Sequence, residues 1–128
     1  MPIDQPDDPA EVYLTEADVA ILTGIVGHPY EMPTLPELCW AAGGHGRELI
    51  KRRVRRLVER GLIEEIRFEE GAPSPKLPDR FLGTTDFGDE ILDRRLTDDR
   101  QRALHETYAS LEKPDRILRY ERAPRPPR

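Results

Sequence analysis

Between Gly44 and Arg60 the chain sets Arg47, Lys51, Arg52, Arg53, Arg55, Arg56 and Arg60 against only Glu48 and Glu59, in a protein whose net charge is −5. The local formal charge is about +5. Side chains of this kind recognise anions. A guanidinium donates two parallel hydrogen bonds to a phosphate, or to the O6 and N7 of guanine, where the pair contributes about 1–3 kcal/mol of base discrimination. At a helical step of about 100° per residue, Ile50, Val54, Leu57 and Val58 gather on one side. The opposite side then carries His45, Glu48, Arg52, Arg55 and Arg56, with Lys51 and Arg53 flanking it. On a helix whose N-terminal part enters the major groove, His45, Glu48 and Arg52 are the candidates for base edges, and Arg47 is a further candidate DNA contact. Lys51, Arg55 and Arg56 are the candidates for phosphates. Glu48 can accept from cytosine N4 and repel wrong registers. The plainer alternative is a solvated face laced by ion pairs, for which Glu48 with Arg52 and Glu59 with Arg55 have the i, i+4 spacing.

Other chemistries find little support. One cysteine, Cys39, excludes an internal disulfide and fits a reducing compartment. The three histidines, His28, His45 and His105, show no metal-ligand spacing. No nucleophile, base and orienting group stand in a motif, and no glycine loop has phosphate-binding form, so neither an enzyme nor a cofactor is expected. No apolar run approaches the ~20 residues of a membrane span, and the acidic start lacks a signal-peptide pattern. A cytoplasmic protein is expected. Lysine occurs only at 51, 76 and 113, beside 17 arginines and 25 acids. That balance points to a high-salt cytoplasm, although a GC-rich genome alone would also favour arginine over lysine.

The elements that must position the basic helix follow from caps and periodicity. Residues 1–13 form an acidic arm, expected to be disordered. Thr15 N-caps a first helix whose apolar face is Val19, Leu22, Ile25 and Val26, ended by Gly27-His28-Pro29. Thr34 and Glu37 have capping-box spacing, with Pro36 in the first turn, and open a short second helix with a stripe of Leu35, Leu38, Cys39 and Ala42. Gly43 and Gly44 permit a sharp turn into the basic helix, about 45–60. Gly61 sits where a Schellman ending places its glycine. Residues 62–68 read as a strand, 71–78 as a Pro-rich loop and 80–83 as the returning strand. On this hairpin Lys76 and Arg80 are candidate contacts to the backbone or minor groove, with a merely polar surface loop as the alternative. A helix with Phe87, Ile91, Leu92 and Leu96 follows. Another carries Leu104, Tyr108 and Leu111, and the Pro/Arg-rich segment 114–128 closes the chain.

Helix, helix, turn, basic helix, hairpin, helix is the order of a winged helix-turn-helix. The expected class is mainly α with a small β-hairpin wing and a C-terminal helical extension: 14–96 as the winged domain, 97–113 as the extension, 114–128 as a basic tail.

The residues Ile50, Val54, Leu57, Val58, Gly61, Leu62 and Ile63 resemble the recognition helix and first wing strand of MarR- and ArsR-like regulators. Thr84, Thr85 and Gly88 match that family's Leu-Thr-x-x-Gly segment, with Thr84 in place of the leucine. A closer resemblance is to haloarchaeal winged-helix regulators. It lies in Leu77-Pro78-Asp79-Arg80-Phe81, in Glu112-Lys113-Pro114, and in Arg119-Tyr120-Glu121-Arg122-Ala123-Pro124-Arg125-Pro126. Over about residues 14–126 the resemblance implies a transcriptional regulator bound to double-stranded DNA. Regulators of this fold commonly form homodimers through such C-terminal helices, while packing back on the same chain is the competing outcome. A protein-protein adaptor in a transcription or replication assembly is the alternative function, mildly favoured by the net acidity. If about six phosphates are contacted, log affinity falls with log salt at a slope near −5, so in molar salt base readout must carry the binding.

Overall fold

The computed structural model describes residues 13–95 and 97–128. Six helices and one hairpin follow in the order α1 (Glu16–Gly27), α2 (Leu35–Ala41), a 3₁₀ turn (Gly43–His45), α3 (Arg47–Glu59), β1 (Ile63–Arg67), β2 (Arg80–Thr84), α4 (Asp86–Arg95), α5 (Asp98–Ser110) and α6 (Asp115–Arg122). The acidic arm, apart from Tyr13, lies outside the described residues, as does Leu96.

Capping decides where the first two helices begin. Thr15 and Asp18 form a reciprocal box at α1, and Thr34 and Glu37 form another at α2, each satisfying two otherwise orphaned N–H groups. The turn before α3 differs from the sequence expectation. Gly43–His45 make a separate 3₁₀ turn, and Gly46 takes φ +77° before α3 starts at Arg47. A left-handed residue interrupts the helix there, so His45 stands on the turn and not on α3. At the far end the Leu62 N–H donates to Leu57 O and the Gly61 N–H to Val58 O, with Gly61 at φ +78°. This is a complete Schellman ending.

The core runs between these elements: Ile21, Leu22 and Ile25 of α1, Leu38 of α2, Ile50, Val54 and Leu57 of α3, Leu62 and Ile63, Leu82, and Ile91 and Leu92 of α4. Ile21 takes the place on the apolar face expected for Val19, which is 40% exposed. β1 and β2 pair antiparallel from Ile63 opposite Thr84 to Arg67 opposite Arg80. The Leu82 N–H donates to Pro33 O, so the chain before α2 runs along the wing. α5 packs along α1 and α6 packs against α2. The C-terminal helices therefore cover their own chain's winged domain, and the segment 114–128 holds a helix.

Tyr108 of α5 is buried, and its hydroxyl has no hydrogen-bond partner among the described residues. Burial, with the Glu37 and Glu121 charges, pushes that phenol well above its usual range and keeps it protonated. An unsatisfied buried hydroxyl costs about 1–3 kcal/mol. Tyr108→Phe, which deletes only that oxygen, is expected to raise the urea midpoint at unchanged slope by about 1 kcal/mol of stability.

Candidate nucleic-acid interface

Ile50, Val54 and Leu57 anchor the inner side of α3, which leaves Arg47, Glu48, Arg52, Arg55 and Arg56 exposed on the outer side and Lys51 half-buried beside them. Val58, expected on the inner side, is 38% exposed at its margin. The ion pairs differ from the i, i+4 expectation. Lys51 lies 3.9 Å from Glu48 and Arg56 lies 3.5 Å from Glu59, both at i, i+3. Arg52 and Arg55, the residues that the other spacing would have neutralised, make no ion pair or hydrogen bond among the described residues, and neither does Arg47. Three guanidiniums thus face outward with their donors uncommitted.

Arg53 has a different task. Its Nε and Nη2 donate to the two carboxylate oxygens of Asp18 at 2.8 Å each, tying α3 to the first turn of α1. Burial pushes the Asp18 carboxyl up, but the bonds from Arg53 and Thr15 outweigh it and hold the carboxyl below its ordinary value. Nothing local in the sequence marks Asp18 for this pairing. Its partner stands 35 residues away, a separation that helical periodicity does not register. Cys39 of α2 lies near the start of α3. Burial raises its thiol, and Arg47 and Lys51 only partly offset that, so it stays a protonated, unreactive side chain.

The wing is less basic than α3. Glu64, Glu65, Glu69, Glu70 and Asp79 are exposed along it, and Arg67 is held by Glu65 at 2.5 Å. Arg80 opens β2, exposed. Lys76 turns toward α6, where it lines a groove with Arg116, Arg119 and Arg122. The basic surface therefore falls into two parts, the outer face of α3 and the Lys76–α6 groove, with the acidic strand β1 belonging to neither.

One structural group was missed in sequence altogether. His28, Glu37 and Arg125 meet in the interior between α1, α2 and the chain after α6. The His28 Nδ1 accepts from the Tyr30 N–H at 3.1 Å, which leaves the Nε2 proton to donate to Glu37. Arg125 donates through Nη2 to Glu37 at 2.7 Å, through Nη1 to the carbonyls of Tyr120, Glu121 and Ala123, and through Nε to Met32 O. One guanidinium thereby caps the C-terminus of α6 and fastens it to α2.

A solved structure shares the fold of this chain. It is described as a protein with a GntR superfamily winged-helix-turn-helix domain from Halomicrobium mukohataei, and it matches over 89% of this chain and 80% of its own, with a TM-score of 0.76 and 23% identity. The fold is a winged helix-turn-helix. At that identity the likeness speaks for the fold alone, and the superfamily name that neighbour carries is not the MarR- and ArsR-like one suggested by the α3 residues. No family model matches the chain, and no curated protein does. Within the winged fold, α2 and α3 are the helix-turn-helix and β1–β2 the wing. No helix among the described residues is long and apolar enough to cross a membrane.

Proposed function

We propose that this chain is a sequence-reading, double-stranded DNA-binding regulator of transcription, with the N-terminal half of α3 in the major groove. The observation that carries the reading is the set of uncommitted guanidiniums of Arg47, Arg52 and Arg55 on the second helix of a helix-turn-helix. Arg47 and Arg52, nearest the start of α3, take the base edges, with Glu48 beside them rejecting wrong registers. Lys51, Arg55 and Arg56 hold phosphates, and Arg80 reaches the flanking backbone from the wing. His45, one turn before α3, is left with a contact to the backbone at the helix entry. The Lys-poor, acid-rich composition favours a high-salt cytoplasm, where these base contacts must outlast the screened phosphate term.

A homodimer on a two-fold operator belongs to the same proposal. With the inner sides of α5 and α6 occupied within the chain, we place the second copy at the shallow groove that Leu104, Thr107 and Leu111 form with Ala20, Gly24 and Ala41, where Leu111 is 44% exposed.

The adaptor reading has one observation in its favour, the wing loop with Glu69, Glu70 and Asp79, exposed and without an ion pair among the described residues, which repels a phosphate backbone. Selection from random duplex DNA at ~0.2 M and ~2 M KCl separates the two, because purely electrostatic binding collapses over that range. A motif that survives ~2 M salt is the expected result. Arg52→Ala should weaken binding to it by about tenfold or more and relax one position. A selection that enriches nothing at either salt would give the basic helix to a protein partner.

A further inference from the structure

The groove of about 550 Å³ between the wing loop and α6 is lined by four cations, Lys76, Arg116, Arg119 and Arg122, and by no carboxylate. We infer that it is a second phosphodiester-binding site, which takes backbone phosphates of the same duplex beyond those reached by α3. This inference rests on the DNA reading above and extends it to surface that the helix-turn-helix does not include.

Several features of the groove support this occupant. Arg116, Arg119 and Arg122 recur every third residue, so they climb α6 over about 9 Å, the axial rise of roughly three successive phosphates on one strand. All three are exposed and make no ion pair or hydrogen bond among the described residues. The acids of α6 do not neutralise the row, because Glu121 is paired with the buried Lys113 and Asp115 sits in the first turn, where the helix dipole favours it. The row is also presented rigidly. Ile117 is buried beneath it, Lys113 ties its back to the chain before α6, and Arg125 caps its last turn and fastens it to Glu37. A charged row held on a packed helix loses little backbone freedom on binding, which favours it over the same charges on a free tail. Leu77, Pro78 and Tyr120 add apolar surface between the cations, suited to the sugars that separate successive phosphates. Lys76 joins the row to the wing loop.

The test is a titration of the whole protein against a labelled 40-base-pair random duplex over a KCl series, beside duplex selection, for the unaltered chain and three variants. Arg116→Ser/Arg119→Ser/Arg122→Ser should reduce the magnitude of the log K against log salt slope by about 2–3, and Lys76→Ser, off the helix, by about 1. Both should leave the selected motif unchanged, because phosphate contacts position and do not specify. Arg52→Ala/Arg55→Ala should instead lose the motif. An unchanged slope in the triple and Lys76 variants, while the α3 variant loses the motif, overturns the groove and leaves the DNA reading standing; an acidic protein segment would then be its occupant. No binding of the unaltered chain to any duplex overturns both.

Discussion

Arg125→Ala is expected to lower the stability of the fold by about 3–5 kcal/mol, read as the shift in urea midpoint at constant slope. The size follows from what the guanidinium leaves behind. Glu37 is fully buried, and its carboxylate would lose a direct partner at 2.7 Å while keeping only the His28 and Thr34 bonds. The carbonyls of Tyr120, Glu121 and Ala123 would lose their shared donor, and the C-terminus of α6 would open. The guanidinium also stacks over the Phe81 ring at 4.9 Å, so α6, α2 and β2 all part from one another. The acid limb changes in a defined direction. Burial pushes the Glu37 carboxyl up, but the His28 hydrogen bond, the Arg125 charge and the Thr34 backbone bond hold it below its ordinary value of 4.5. A carboxyl with a lowered native value contributes stability that is fully present above the ordinary value and is lost as pH falls through the native one. Asp18, held below 3.8, behaves alike. The unaltered protein should therefore lose stability as pH is lowered below about 4.5. Arg125→Ala should show a smaller loss that begins at the same pH and is complete at a higher one, because Glu37 is then held down less firmly. A change under 1 kcal/mol with an unaltered acid limb would mean that Arg125 is dispensable to the tail.

The elements of the winged fold were legible because each announces itself locally. Thr15 with Asp18 and Thr34 with Glu37 cap at fixed spacing, Gly61 ends a helix in the one conformation that suits it, and Ile50, Val54 and Leu57 repeat at helical period. The start of α3 was placed too early because a 3₁₀ turn and an α-helix share the same good residues, and only the positive φ of Gly46 divides them. What the sequence did not reveal was pairing over distance. Arg53 reads as one more member of a basic face until Asp18 lies under it, and the final segment reads as a charged tail until Glu37 and Met32 receive Arg125. The same holds for the two sequence segments Leu77-Pro78 and Tyr120 to Pro124, which lie more than 40 positions apart and line one groove. Burial of a charge depends on a partner, and the partner is invisible to periodicity.

Gly88→Ala is expected to destabilise the protein by about 3 kcal/mol, opposite in sign to the gain of about 1 kcal/mol that this replacement gives in an unobstructed helix. Gly88 lies in the first turn of α4, against the chain that leaves α3. A Cβ there would be driven into the Leu62 carbonyl oxygen, far inside contact distance, with the carbonyl carbon itself only 3.0 Å away. The obstacle is backbone and has no rotamer by which to move aside. That carbonyl already accepts the Thr85 N–H at 3.1 Å, while the Thr85 hydroxyl donates to Gly61 O and accepts from the Gly88 N–H at 3.0 Å. Moving α4 away would break this cluster, which joins the Schellman end of α3 to the start of α4. Gly43→Ala and Gly44→Ala are the controls, since a Cβ at either meets nothing within 4 Å and neither has a positive φ. They should stay within about 0.5 kcal/mol of the parent. On the DNA-binding reading proposed above, the clash at the foot of α3 means that Gly88→Ala should also weaken duplex binding at temperatures where the fold persists, without altering the selected motif. Equal midpoints for the Gly88 and Gly43 variants would mean that α4 accommodates the methyl, and that its close approach to Leu62 is not what holds the wing against the recognition helix.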